Sequence, residues 1–145
     1  AFVMADHLSR VGQDVNHGVL AAESLVERVK AGNTGDFGTY EPDEVFGTVF
    51  ENWKTKDPEA KAVYQYIKDG GEVRNYQILW DEEWNSYPDT KELEKNGKKL
   101  AYVGLITTGV KDQMKEIAVV IFGYGTYGDQ GYKIYHLFAE QYVKP

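Results

Sequence analysis

Histidines are the first residues to consider for chemistry, because imidazole titrates near neutral pH and binds metals. His7, Asp14 and His17 are spaced by seven and three residues, so in a helix they share one flank and offer a metal two nitrogens and an oxygen. Their angular spread of about 80° is wide for one ion. We therefore interpret them as a solvated helix edge. His136 is interpreted as a structural histidine in an aromatic strand.

Carboxylates are densest between two tryptophans, at Asp81, Glu82 and Glu83. Calcium needs several converging oxygens, and the D-x-D-x-D-G order of an EF-hand loop is absent. We interpret these acids as a solvated loop rather than a weak calcium site. No serine stands in a G-x-S-x-G or S-x-x-K setting, and the absence of cysteine excludes a thiol nucleophile. The sequence therefore predicts no catalytic residue, no metal and no cofactor.

The segment from Gly123 to Gly128 reads G-x-G-x-x-G directly after an apolar run. In dinucleotide-binding folds such glycines let a pyrophosphate approach the N-terminus of a helix. Here the chain ends 17 residues after Gly128, so there is no room for a second strand or for a ribose-binding acid about 20 residues further on. We predict a hairpin loop rich in glycine and tyrosine.

Aromatic side chains are the strongest compositional signal, since 11 tyrosines, six phenylalanines and three tryptophans make up 14% of 145 residues. Tyrosine and tryptophan combine an apolar ring with a polar group at one end. Such side chains suit both the solvent-facing edge of a core and a binding surface. Four strands cannot cover all of these rings, so we predict that some contact a partner. The residues assigned to partner contacts are Trp84, Tyr87, Tyr124, Tyr127 and Tyr132.

Helical periodicity is clearest in the first thirty residues and predicts one long amphipathic helix. Gly32 and Asn33 are typical of the residues that end a helix. Gly12 and Gly18 weaken its interior, which indicates close approach of another backbone. The apolar stripe consists of Met4, Leu8, Val11, Val15, Val19, Ala22, Val26 and Val29.

Two shorter helices are predicted next, one opening at Pro42 and one starting at Asp57-Pro58. Residues 81–98 are predicted to be a polar loop. Strands are predicted over 73–80, 100–108, 116–122 and 132–143, the last being favoured over a helix. The unbroken apolar run within 116–122 needs cover on both faces, either from helices divided between the faces or from another subunit.

These elements define a single α+β domain spanning residues 1–145, with one long and two shorter helices on a four-stranded antiparallel meander. A chain of this length buries enough surface to fold without disulfides. The absence of cysteine excludes cysteine-ligated zinc and iron–sulfur clusters. A net charge of −7 without a basic run argues against nucleic acid as a partner, and no apolar run of ~18 residues predicts a membrane span.

The order of elements resembles the soluble part of type IV pilins and pseudopilins, where a long N-terminal helix and an irregular segment precede an antiparallel meander. The chain lacks the hydrophobic N-terminal span and the C-terminal cysteine pair of that family. The resemblance implies an assembly subunit, and the same order would serve a virion or appendage subunit.

We therefore expect a non-enzymatic structural subunit that forms homo-oligomers through its N-terminal helix and aromatic loops, with concentration-dependent light scattering as the test. The chain starts at Ala1 rather than at methionine, which indicates either N-terminal processing, with an extracellular or virion location, or a part of a longer protein. One alternative is a cone-shaped α+β enzyme with His136 or an acid inside a cavity. The other is an extracytoplasmic small-molecule-sensing domain whose pocket is lined by Trp80, Trp84, Tyr87, Tyr102 and Tyr124.

Overall fold

The computed structural model describes residues 2–39, 47–124 and 131–144, and the side chains of the first helix from Gln13 onward. Within these ranges the chain forms four helices and six strands, which confirms the α+β class. In chain order they are α1 (Phe2–Lys30), β1 (Gly38–Thr39), α2 (Gly47–Lys56), α3 (Pro58–Gly70), β2 (Arg74–Trp80), β3 (Ser86–Tyr87), α4 (Thr90–Lys95), β4 (Tyr102–Lys111), β5 (Met114–Gly123) and β6 (Tyr132–Tyr142).

All strands form one antiparallel sheet, in which the order β2-β4-β5-β6 is the predicted meander. The predicted count of four strands is wrong, because β1 and β3 also pair with β2 and bring the sheet to six. Each of these two strands has only two residues. A segment that short shows no alternation of apolar and polar residues, so periodicity could not reveal it.

The helices divide between the two faces of the sheet. On one face α1 packs Ala22, Val26 and Val29 against a cluster that includes Ile106 and Val119. On the other face α2 and α3 cover a second cluster, formed by Phe50, Leu79, Val103, Leu105, Val120 and Phe122. Strand β5 is therefore covered on both sides, which is the first of the two arrangements that its apolar run allowed.

Helix α1 ends where predicted, with Gly32 at φ 75° and the Asn33 amide donating to the Arg28 carbonyl. Gly18 lies against β6, where an added Cβ would come within 2.9 Å of Ile134 Cγ2. The neighbours of Gly18 are thus side-chain atoms of β6 rather than the predicted second backbone, while the Gly12 site lies outside the described side chains. The predicted stripe fails at Val15, which is 37% exposed.

The start of α3 is confirmed, since the Asp57 carboxylate accepts a hydrogen bond from the Ala60 amide at 3.0 Å and Pro58 occupies the first turn. Pro42 lies outside the described residues, and α2 is described from Gly47.

The polar-loop prediction for 81–98 is wrong where β3 and α4 form. Asp89 caps α4 by accepting from the Glu92 amide at 2.9 Å. The D-x-x-E spacing was the available signal for this six-residue helix.

Strands β4 and β5 form a tight hairpin whose turn residues, Asp112 and Gln113, both have positive φ, 51° and 68°. That geometry matches the twist of the paired strands.

The last strand, β6, confirms the strand prediction for 132–143. The predicted loop between β5 and β6, and with it the G-x-G-x-x-G segment, lies for the most part outside the described residues.

Candidate functional site

The larger of two described cavities lies between α1, the loop after β2, α4 and the start of β4, and has a volume of about 810 Å³. Its floor contains Asp14, Leu93, Ala101 and Tyr102, each no more than 7% exposed. The other described residues on its wall and rim are Gln13, His17, Glu82, Trp84, Thr90, Glu94, Lys98, Lys99, Leu100 and Tyr124. We call this space the aromatic cavity.

Asp14 connects three elements beneath the aromatic cavity. Tyr102 in β4 donates its hydroxyl hydrogen to Asp14 Oδ1 at 2.7 Å, and Tyr132 in β6 donates to Oδ2 at 3.2 Å. The interpretation of Asp14 as part of a solvated helix edge is therefore wrong. A carboxylate is stabilised when buried if hydroxyl groups donate to it, and these partners lie 88 and 118 residues away along the chain.

Trp84 forms a wall of the aromatic cavity. Its ring stacks on Tyr102 with centroids 3.9 Å apart and planes 11° apart, and His17 stacks on Trp84 at 5.3 Å. The backbone of Trp84 has φ 63°, a region that bulky side chains rarely occupy. Such strain costs on the order of 1–3 kcal/mol and persists only where the surroundings impose it.

Asp81 imposes that conformation. Its carboxylate is 3% exposed and accepts hydrogen bonds from the Glu83 amide, the Asn85 amide, the Asn85 side chain and the Tyr87 hydroxyl, at 2.9 to 3.2 Å. The Trp84 amide donates to the Asp81 carbonyl at 3.0 Å. Burial raises the pKa of Asp81, but these hydrogen bonds outweigh burial and hold the pKa below its ordinary value of 3.8.

The prediction that the acidic segment is a solvated loop is therefore wrong for Asp81. Asp81 is buried, whereas Glu82 and Glu83 are exposed. Turn formation explains the difference, because an aspartate at the first position of a turn can accept from amides two and four residues further on.

The five predicted contact residues fall into three groups. Trp84 and Tyr124 line the aromatic cavity, and Tyr124 is 42% exposed. Tyr87 and Tyr132 are half-buried and donate to the carboxylates of Asp81 and Asp14, of which Asp14 lines the cavity. Tyr127 lies outside the described residues.

Sequence reasoning missed the Asp14–Tyr102 contact and the stacking of His17 on Trp84. The spacing of Asp14 and His17 by three residues did place both on one flank of α1.

His136 lies on the opposite face of the sheet from the aromatic cavity. Its ring centroid is 5.2 Å from that of Trp53 and 5.0 Å from that of Phe138, and its Nδ1 is 3.0 Å from Lys133 Nζ. Burial and the charge of Lys133 lower the pKa of His136, which favours the neutral ring. The imidazole therefore serves the aromatic packing around α2.

Glu116 and Glu140 are cross-strand neighbours on β5 and β6. Glu116 is 7% exposed, and burial, followed by the charge and hydrogen bonding of Glu140, raises its pKa from 4.5 to about 7. Between about pH 4.5 and pH 7 the folded chain therefore holds a proton on Glu116 that the unfolded chain releases. This stabilising contribution is fully present below pH 4.5 and is lost as the pH rises through about 7.

Glu116→Gln is expected to raise the free energy of unfolding at pH 8 by about 1–2 kcal/mol, because glutamine keeps the neutral form. Solvent near the exposed Glu140 reduces the effect below what the full pKa shift would supply. Urea unfolding at pH 5 and pH 8 measures it. Glu23→Gln removes the same charge from an exposed position on α1 and is expected to change little at either pH. A Glu116→Gln variant no more stable at pH 8 than the parent, or a gain no larger than that of Glu23→Gln, would contradict the assignment.

Within the described ranges, no three histidine, cysteine, aspartate or glutamate side chains are grouped so that they could hold a metal ion. No helix in the same part of the chain is long and apolar enough to cross a membrane. The chain matches no protein-family model, no curated protein sequence and no solved structure.

Proposed function

We propose that this chain is a small-molecule-binding domain whose ligand occupies the aromatic cavity. One observation carries the proposal: Trp84 is held in a strained backbone conformation, stacked on Tyr102, on the wall of the larger described cavity. Strained residues concentrate at binding sites, where the surrounding structure compensates for their cost.

The size and chemistry of the aromatic cavity support this function. Its volume of about 810 Å³ lies in the range of small-molecule sites, roughly 300–1,000 Å³. Trp84 and Tyr124 add aromatic surface to a lining that is otherwise mostly polar. Asp14 in the floor and the lysines at 98 and 99 on the rim offer polar contacts of both charge signs. We therefore expect a planar organic compound with polar substituents.

The experiment is a thermal-shift screen of planar organic compounds, followed by calorimetric titration of the compounds that raise the melting temperature. Trp84→Ala is expected to weaken their binding at least tenfold, because it removes a cavity wall. Tyr142→Ala removes an aromatic ring that is 61% exposed at the far end of β6 and is expected to leave the affinity unchanged. A screen in which no compound shifts the melting temperature, or equal affinity in the Trp84 variant, would contradict the function.

An assembly subunit is the second proposal, and it stays a prediction. It is supported by β6, which is 11 residues long and ends the strand order, so that no strand within the described ranges pairs with its outer edge. Exposed apolar side chains on α1, Val15 and Leu20, add to that support. A single monomeric species in light scattering across a wide concentration range would contradict assembly.

A further inference from the structure

We propose that a second, smaller cavity on the opposite face of the sheet binds a small organic anion with a single-ring apolar body. This cavity has a volume of about 250 Å³ and lies between α2, α3 and the end of the sheet where β2 pairs with β4. We call it the lysine cavity. Its described lining consists of Phe50, Lys54, Tyr64, Ile67, Lys68, Val73, Asn75 and Thr107.

The interior of the lysine cavity suits an apolar ring. Phe50, Ile67 and Thr107 form its deepest surface and are 2%, 1% and 6% exposed. The Phe50 and Tyr64 rings meet edge to face, with centroids 5.5 Å apart, so one wall is aromatic. An apolar cavity of about 150 Å³ already accepts benzene, so this volume accommodates a benzene ring with a short substituent.

The charge of the lysine cavity selects an anion. Lys54 and Lys68 are the charged residues in its described lining, within a chain whose net charge is −7. Lys54 Nζ stands over the Phe50 ring at 4.7 Å and over the Tyr64 ring at 5.5 Å, which places an ammonium group beside the aromatic wall. A ligand whose ring enters the cavity therefore brings a carboxylate attached to that ring close to Lys54.

Glu51 is the competing partner of this ammonium group, because its carboxylate lies 2.8 Å from Lys54 Nζ. That ion pair joins neighbouring turns of α2 at the surface, where such pairs contribute little to stability. An ammonium group has three donors, so Lys54 can keep Glu51 and still donate to a ligand carboxylate. Because the pair is weak, a ligand carboxylate can compete with Glu51 for the Lys54 ammonium group.

A polar contact on the sheet side completes the lysine cavity. Asn75 and Thr107 are register partners on β2 and β4, and the Thr107 hydroxyl donates to Asn75 Oδ1 at 3.1 Å. This bond orients the amide, so the Asn75 Nδ2 group is a donor on the cavity wall. The Asn75 amide and the Lys54 ammonium group are thus two donors in the lining of a ring-sized apolar space, and a carboxylate on the ring is expected to pair with Lys54.

The test compares benzoate, benzyl alcohol and benzylamine, three ligands that share a ring but differ in charge, by NMR titration of the folded protein. Benzoate is expected to shift the Asn75 and Thr107 amide signals saturably, with a dissociation constant in the millimolar range. Benzylamine and benzyl alcohol are expected to shift them at least fivefold less at equal concentration. Equal responses to all three ligands, or no response at these amides, would overturn the proposal.

Lysine substitutions test whether benzoate binding requires the positive charges of the lysine cavity. Replacing Lys54 and Lys68 together by alanine is expected to weaken benzoate binding at least tenfold, whereas replacing both by arginine keeps it. Replacing Lys56 and Lys61 by alanine removes the same charge from α2 and α3 outside the described lining and is the matched control. Unchanged binding in the Lys54 and Lys68 variant, or an equal loss in the control, would overturn the proposal. The proposal does not depend on the aromatic cavity, whose reporter in the same spectra is the Trp84 indole signal.

Discussion

Asp81→Ala is expected to lower the free energy of unfolding by about 3–4 kcal/mol, because it leaves four partly buried donors without the charged acceptor that they share. For a chain of this length that corresponds to a melting temperature lower by roughly 6–16 °C. The same substitution removes the constraint on Trp84, so the stacking on Tyr102 is expected to weaken. Chemical denaturation measures the first effect, and near-ultraviolet circular dichroism measures the second.

Asp89→Ala is the matched control, since the Asp89 carboxylate accepts one amide hydrogen bond at the start of α4. This substitution is expected to lower the free energy of unfolding by only about 1 kcal/mol and to leave the near-ultraviolet circular dichroism signal of Trp84 unchanged. A cost for Asp81→Ala no larger than that of the control would show that the turn does not depend on this carboxylate.

Acid provides a second test of Asp81. Because its pKa in the folded chain lies below 3.8, the carboxylate stabilises the fold above that pH and loses this contribution as the pH falls through the folded value. The Asp81 variant is therefore expected to lose less stability than the parent between pH 5 and pH 3.

Phe122→Ala is expected to lower the free energy of unfolding by about 3–5 kcal/mol. Phe122 is 0% exposed and meets the Phe50 and Trp53 rings of α2 edge to face, at 6.2 and 6.4 Å. Removing its ring leaves a cavity between α2 and β5 that rigid neighbours cannot fill. Denaturant unfolding monitored by tryptophan fluorescence gives the value.

Tyr142→Ala is the control for this substitution, because that ring is 61% exposed at the end of β6. Its effect is expected to stay within about 0.5 kcal/mol. If Phe122→Ala cost less than about 1 kcal/mol, the contact between α2 and the sheet would not stabilise the fold.

The parts of the fold that the sequence predicted are those with local causes. Helix α1 follows from apolar spacing and from Gly32, α3 from Asp57 and Pro58, and the meander from runs of β-forming residues. The two short strands and α4 were missed because segments of two to six residues carry no periodic pattern.

The candidate site depends on contacts that no local pattern encodes. Trp84 and Tyr124 were identified from aromatic composition, yet their place on one cavity follows from the packing of α1 against β5 and β6. Asp14 lies in the site because Tyr102 and Tyr132, which are distant in sequence, donate hydrogen bonds to its carboxylate. The positive φ of Trp84 could not be predicted either, because bulky residues rarely adopt positive φ and sequence preferences therefore favour a different backbone conformation.

The most direct measurement of the central claim uses the indole N–H signals of the three tryptophans in an NMR fragment screen. Trp84 lines the aromatic cavity, Trp80 is 6% exposed in the core, and Trp53 packs on the opposite face. We expect planar polar fragments to shift the Trp84 signal saturably while the Trp53 signal stays in place. Fragments that shift only Trp53, or none of the three signals, would contradict the account.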